Sequence, residues 1–179
     1  MTLNTLNSLN FFEIFKISPN LEIDIDDLEM RYLALQKFYH PDVIQKLFPS
    51  QIDAALQASS LINRAYHILG NEFLRMEYLL KILGVDEDEI AKVSMPQTFL
   101  MLSFDWRERL ESLKLTSELK VFYDEIKSQE EHEIQNFKKA FSNQDKATLV
   151  HAFTKLKFIK RFLDEVVQRI ENTDANPIV

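Results

Sequence analysis

The chain has 179 residues, 46% hydrophobic and 27% charged, with only 2 Gly and no Cys, enough apolar content to bury one good core or two small ones. Two glycines are too few for a phosphate-cradling loop or a dinucleotide fingerprint, and without cysteine there is no disulfide, thiolate metal site or thiol nucleophile, which is compatible with a reducing compartment. The formal net charge of −7 is shared, with 6 basic and 10 acidic side chains in residues 1–80 and 15 and 18 in residues 81–179, so no basic field exists to hold nucleic acid.

Apolar residues recur at helical spacing almost throughout, and clean two-residue alternation is hard to find, which reads as all-α. A short first helix holds Phe11, Phe12, Ile14 and Phe15 and ends near Ser18-Pro19. The second starts near Asp24 or Asp26, whose carboxylates cap free N–H groups. It carries the stripe Leu28, Tyr32, Leu35 and Tyr39 and stops at His40, because Pro41 follows. Residues 41–49 show no helical pattern and read as a long connection, a feature that invites a functional explanation. Ser50-x-x-Asp53 then reads as a capping box for a third helix, with Ala55, Ala58, Ile62, Ala65 and Leu69 in steps of 3, 4, 3 and 4. Gly70 is expected at its left-handed C-cap, and Asn71 is expected to cap a fourth helix over residues 72–83 that Gly84 terminates.

Residues 84–95 contain Asp86, Glu87, Asp88 and Glu89 and read as an acidic linker or partial helix at a domain boundary. Beyond them, helices are expected from 94–96 to about 113, from Thr116 or Ser117 to about 141, and from the cap Asp145 to 170. Short connections make these an antiparallel three-helix bundle. The last helix repeats Leu149, Ala152, Leu156, Ile159, Leu163, Val166 and Ile170 as a seam. In the first of the three, Phe99, Leu102, Trp106 and Leu110 form an interior stripe, while Leu100, Met101 and Phe104 lie on another face. A three-membered bundle does not easily bury both. Each large apolar side chain left in water forgoes about 1.5–3 kcal/mol, so a contiguous exposed set points to a partner. Phe158 falls off the last seam, and antiparallel packing can bring it beside the first stripe. The alternative is a wider core, in which Leu100 or Met101 packs on the linker or the N-terminal domain.

The stretch from Leu28 to Asp42 ends an amphipathic helix in Tyr39-His40-Pro41-Asp42, and the next helix contains Ile62-Asn63-Arg64-Ala65-Tyr66. Proline stiffens the chain after His40, so His40 and Asp42 are displayed at a fixed, exposed corner that binds with less entropy lost. Read alone, the tripeptide is a helix stop with His40 near the negative helix end. With its flanks it resembles the hairpin of a J domain, which implies that His40, Pro41 and Asp42, with Arg31, Lys37 and Lys46, engage a DnaK/HscA-type chaperone and stimulate its ATP hydrolysis. J domains commonly carry Lys or Arg directly after the tripeptide and a markedly basic second helix. This chain has Val43 there, and only Arg31 and Lys37 in the helix; Lys46 is the partial substitute.

The whole chain is similar to the HscB type of J protein, through Phe11-Phe12-Glu13-Ile14-Phe15, Arg75-Met76-Glu77-Tyr78-Leu79-Leu80, Phe99-Leu100-Met101, Arg107-Glu108-Arg109-Leu110 and Lys155-Leu156-Lys157-Phe158-Ile159. The resemblance implies a J domain over residues 1–83, an acidic linker over 84–95 and a scaffold-binding bundle over 96–179. It also implies that Leu100, Met101, Phe104 and Phe158, rimmed by Asp105 and Glu108, bind an IscU-type iron–sulfur scaffold protein for delivery to the chaperone. A J protein with a different client is the alternative. The Gly/Phe-rich stretch and cysteine motifs of general J proteins, and the Cys-rich motif of mitochondrial relatives, are missing, which favours a bacterial protein.

No enzymatic constellation competes. His67, His132 and His151 lack a second ligand at a convincing spacing, and His132-Glu133 lacks the second His of a zincin motif. Asp26-Asp27 and Glu130-Glu131 read as caps and solvated faces. The apolar runs are too short to span a bilayer, and residues 1–10 show neither a basic n-region nor an apolar h-region. A cytoplasmic co-chaperone without metal, cofactor, membrane or nucleic acid is the expectation.

Overall fold

The computed structural model describes residues 6, 8–85 and 87–175, and every regular element among them is helical. The reading of residues 1–10 falls largely outside this set, as does Asp86. No helix among the described residues is long and apolar enough to cross a membrane. The chain divides into two compact units, Met1–Ile82 and Leu83–Val179.

In the first unit, α1 (Phe11–Ile14) opens with a capping box: Asn10 Oδ1 accepts from the Glu13 N–H at 3.0 Å, and Glu13 Oε2 accepts from the Asn10 N–H at 2.7 Å. It closes with Lys16 in the left-handed region at φ 54°, where Lys16 and Ile17 N–H groups return to the Glu13 and Phe12 carbonyls. Phe11, Phe12, Ile14 and Phe15 are all buried. Helix α2 (Ile25–Phe38) is capped by Asp24, which accepts from both Asp26 and Asp27 N–H groups at 3.0 Å. Its stripe packs on α4 (Ile52–Gly70), whose Ala55, Ala58, Ile62, Ala65 and Leu69 are all buried as their spacing requires. Asn63 of α4 holds α2 in place: its Oδ1 accepts from Tyr32 Oη at 3.2 Å and from Gln36 Nε2, and Tyr32 stacks on Tyr66 at 4.0 Å.

Three expectations fail here. Residues 41–49 are not a loop: α3 (Pro41–Leu47) is followed by a 3-10 turn over Pro49–Gln51. Proline suits a first helical position, since its fixed φ is already helical and its missing N–H would have lacked an intrahelical partner. Ser50 therefore sits inside that turn and cannot cap α4, whose N-cap is Gln51 without a side-chain bond. Gly70 is the last residue of α4 in ordinary helical conformation. The left-handed closures fall at Lys16, Gln144 and Gly84 (φ 75°), so only Gly84 punctuates as expected.

Helix α5 (Glu72–Ile82) starts at Asn71, whose Oδ1 accepts from the Leu74 N–H at 3.0 Å. Its Arg75 is only 5% exposed. The guanidinium donates from Nε to the Leu21 carbonyl at 2.7 Å and from Nη1 to the Leu69 carbonyl at the end of α4. Burial lowers its pKa from the usual value, with Glu72 opposing. Tyr78 accepts from the Phe11 N–H at 2.9 Å and stacks on Phe11 at 4.3 Å, tying α1 to α5.

In the second unit, the stretch expected as a linker carries α6 (Glu87–Lys92), with Val85 and Ile90 buried. Helices α7 (Gln97–Ser112), α8 (Thr116–Ser142) and α9 (Lys146–Ala175) share one core. Phe99, Trp106 and Leu110 meet Leu119, Phe122 and Ile126 of α8 and Ile159, Phe162, Leu163 and Val166 of α9. Between α8 and α9, Gln144 takes φ 56°, its N–H reaching the Phe141 carbonyl, while the Asp145 N–H returns to Ala140 at 2.9 Å. The Asp145 carboxylate meanwhile accepts from the Thr148 N–H and hydroxyl at 3.1 and 2.6 Å, which lowers its pKa.

Replacing Arg75 by Met keeps most of its volume and strips the Leu21 and Leu69 carbonyls of their donor. We expect a loss of about 1–3 kcal/mol in unfolding free energy, read as a lower urea midpoint; an unchanged midpoint would refute the stapling role.

Candidate docking sites

The first site is the corner between α2 and α3. Helix α2 ends in its C-cap Tyr39, which is 4% exposed and whose N–H bonds the Leu35 carbonyl at 2.9 Å. Burial raises the pKa of its phenol. The residue preceding proline is driven out of the helical region, and His40 accordingly takes φ −61°, ψ 127°. That conformation suits an N-cap: His40 Nδ1 accepts from the Asp42 N–H at 3.2 Å, fixing the imidazole over the first turn of α3. The Asp42 carboxylate stands 4.0 Å from Nδ1 with its side chain 76% exposed. A buried tyrosine on one side and a cap on the other thus hold His40 and Asp42 outward.

The cations named with this corner divide. Lys37 and Lys46 are exposed. Arg31 is engaged internally: Nε donates to Asp27 at 2.8 Å, and Nη1 donates to the Phe15 and Lys16 carbonyls at 2.9 and 3.0 Å, satisfying the end of α1. The tripeptide and its helix were readable from the sequence. The second role of Arg31 was not, because the carbonyls it meets lie 15 and 16 residues away in the chain.

The second site is the outward face of α7. Leu100, Met101 and Phe104 are 42%, 61% and 67% exposed, with Asp105 and Glu108 exposed beside them. Antiparallel packing does bring Phe158 to α7: its ring meets Phe99 edge-on at 5.6 Å and stacks on Phe162 at 6.2 Å, with the Arg107 guanidinium 5.8 Å above it. Phe158 is therefore half-buried, packed against the aromatic core behind the helix. Sequence reasoning missed two supports. Ser103 is buried and donates to the Leu100 carbonyl at 2.7 Å. Lys155 of α9 bridges Glu133 of α8 at 2.9 Å and lies 5.8 Å over the Phe99 ring, so the carboxylate of the near-zincin stretch is a packing partner.

The grooves flanking α7 are lined by alternating charges, Asp105, Arg109 and Glu125 on one side and Arg107, Glu111, Glu165 and Arg169 on the other. Arg109 donates to Glu125 and lies 4.8 Å over Phe122. Among the described residues, no group of three or more His, Asp or Glu is placed to hold a metal.

Residues 95–167 match the family described as the HSCB C-terminal oligomerisation domain. The chain is 32% identical over 159 residues to the co-chaperone protein HscB homolog of Neisseria meningitidis serogroup A, covering 87% of this chain and 96% of that one. The homolog from Shewanella denitrificans is 29% identical over 170 residues, covering 93% and 97%. Among solved structures, the chaperone HscB from Vibrio cholerae superposes with a TM-score of 0.77 at 28% identity, over 92% of this chain and 99% of that one. The human co-chaperone protein HscB, at 23% identity and a TM-score of 0.83, covering 90% and 82%, shares the fold.

The triple variant L100A/M101A/F104A should retain wild-type helicity and lose under about 1.5 kcal/mol, as exposed substitutions do. Phe99→Ala, one residue away, should cost about 3–5 kcal/mol. Chemical unfolding followed by circular dichroism separates the two; equal losses would place the outward residues in the core.

Proposed function

Because the chain belongs to the HscB family of co-chaperones, we propose that it acts as an adaptor joining an IscU-type iron–sulfur scaffold protein to a DnaK/HscA-type chaperone and stimulating that chaperone's ATPase. The observation that carries this reading is the coexistence of two outward-facing displays in separate units. One is the fixed His40–Asp42 corner, the other the Leu100, Met101 and Phe104 face. In this reading residues 1–83 are the J domain, residues 84–95 a connecting acidic stretch and residues 96–179 the scaffold-binding bundle.

The physical division of labour is simple. ATP is bound and hydrolysed by the chaperone, and this chain supplies positioning. The corner reaches the chaperone with little conformational freedom left to lose, because the cap and Tyr39 have already fixed it. The apolar face of α7 supplies anchors that gain by leaving water, with Asp105 and Glu108 as a polar rim. Linking both contacts in one chain turns the chaperone's encounter with the scaffold into an intramolecular event at raised effective concentration. The iron–sulfur role places the protein in the compartment where clusters are assembled, which for the bacterial reading is the cytoplasm.

Two measurements test this. Asp42→Asn should abolish stimulation of the chaperone's ATPase while leaving scaffold binding unchanged, and stimulation equal to wild type would overturn the role of the corner. L100A/M101A/F104A should weaken scaffold binding at least about 100-fold in calorimetry, as expected when several apolar anchors are lost together, while retaining basal ATPase stimulation. Undiminished scaffold binding would point to a different client.

A further inference from the structure

The outward face of α7 carries opposite charges on its two edges. Successive residues turn by about 100°, so with Leu100 as reference Phe104 stands about 40° to one side, with Glu108 at about 80° and Asp105 at about 140° the same way. Arg107 falls about 20° the other way. The grooves agree with this placement: Asp105 lines the one shared with Glu125 and Gln129 of α8, and Arg107 the one shared with Glu165 and Gln168 of α9. Asp105, Arg107 and Glu108 are all exposed. Carboxylates thus border the apolar residues toward α8, and a guanidinium borders them toward α9.

Arg107 stands in line with Leu100 and Phe104, seven and three residues after them, so a partner that covers those two also covers it. Its guanidinium lies 5.8 Å over the Phe158 ring, a seat that steadies the side chain and leaves it less freedom to lose on binding. Glu111 and Glu165 line the same groove, yet among the described residues no carboxylate forms a salt bridge with Arg107. Its donors remain available to a partner. Arg109, two residues on, differs: it is already committed to Glu125.

We propose that Arg107 is a scaffold-binding residue: it takes a carboxylate of the iron–sulfur scaffold protein and, with Asp105 and Glu108 at the opposite edge, fixes the direction in which the scaffold lies across α7. This rests on the scaffold-binding reading of that face and adds to it a cation that determines specificity. Leu100, Met101 and Phe104 supply burial, which has no direction of its own. A scaffold rotated by half a turn would still cover them, but it would set carboxylate against carboxylate and cation against cation. Arginine suits the role because its planar fork holds both oxygens of one carboxylate, whereas a lysine acts as a point charge.

The test is calorimetric titration of the full chain with the iron–sulfur scaffold protein of the same organism, free of cluster. Arg107→Ala should raise Kd about 10-fold and Arg107→Glu at least about 30-fold, as for an interfacial arginine at an anchor. Arg107→Lys should fall between the wild type and Arg107→Ala, since it keeps the charge and loses the fork. Arg107→Met keeps a long stem on Phe158 without the charge and should bind as weakly as Arg107→Ala; affinity equal to wild type would show that the residue only packs on the ring, overturning the proposal. The pair D105R/R107D leaves the net charge unchanged and reverses the two edges. It should weaken binding at least about 30-fold, and wild-type affinity would refute the fixed direction. Against Arg107→Glu, reversing one acidic residue of the scaffold to Lys should restore at least about 10-fold of the lost affinity; a scan of the scaffold's acidic residues without any restoring change refutes the carboxylate contact. Circular dichroism checks that each variant keeps wild-type helicity. If L100A/M101A/F104A binds the scaffold as tightly as wild type, the scaffold reading of the face fails. If that triple variant loses binding and the Arg107 variants do not, only the role of Arg107 fails. Self-association of the chain that Arg107→Glu removes would assign the arginine to a second copy, again overturning the proposal.

Discussion

Three helices enclose one interior, and α7 has more apolar surface than that interior accepts. Phe99, Trp106 and Leu110 take the inward positions. Helical geometry then leaves Leu100, Met101 and Phe104 facing away, because residues one apart differ by about 100° around the axis. The exposed face is thus a geometric consequence of the choice made by its neighbours. Moving it inward would require α7 to rotate and surrender the contacts of Trp106 with Phe162 and of Phe99 with Phe158. Aromatic packing of this kind resists small shifts, since close-packed interiors lose contacts steeply with displacement. The apolar face is therefore presented on a stiff backing, with the Lys155 bridge to Glu133 adding a polar tie behind it.

The first unit solves a different problem with polar means. Its helices are short and their ends abundant, so unpaired carbonyls and N–H groups are the main cost to be met. Two arginines meet much of it. Arg31 serves the end of α1, and Arg75 serves Leu69 at the end of α4 together with Leu21. Asn63 does similar work across the hairpin, taking donors from Tyr32 and Gln36. His40 extends the pattern to the corner, where the imidazole that faces outward also caps α3. One ring therefore has both a structural and a display role.

Much of this was legible in the sequence where the signal was periodic. The stripe from Ala55 to Leu69 and the seam from Leu149 to Val166 are buried, with Ile170 only partly covered. Asp24, Asn71 and Asp145 cap helices as their positions suggested. The misses share a cause. Residues 41–49 were too short and too irregular in pattern to register as helix, although Pro41 and the preceding His40 are a start signal as readily as a stop. Ser50 lies in a turn that motif spacing does not register, and Gly70 ends α4 without the left-handed closure glycine often supplies. Among the described residues, Lys16 and Gln144 hold such closures instead, beside Gly84. In both places the flanking hydrogen bonds enforce the conformation. At the candidate sites, the proline at 41 announced an exposed bend and helical spacing the outward position of Leu100, Met101 and Phe104. Which cations point outward could not be read in this way, since Arg31 finds its acceptors far along the chain.

The link between α8 and α9 has a consequence for how this chain tolerates change in length. Asp145 ends one helix with its backbone N–H and begins the next with its carboxylate, so the turn contains no spare residue. An insertion there must be absorbed either by unwinding the last turn of α8 or by re-phasing α9 by about 100°. Re-phasing would swing Phe162 away from Trp106 and draw Phe158 out from behind α7. Relatives that keep the aromatic backing should accordingly vary in length elsewhere, and a single added codon at this link would be felt at the opposite end of the bundle.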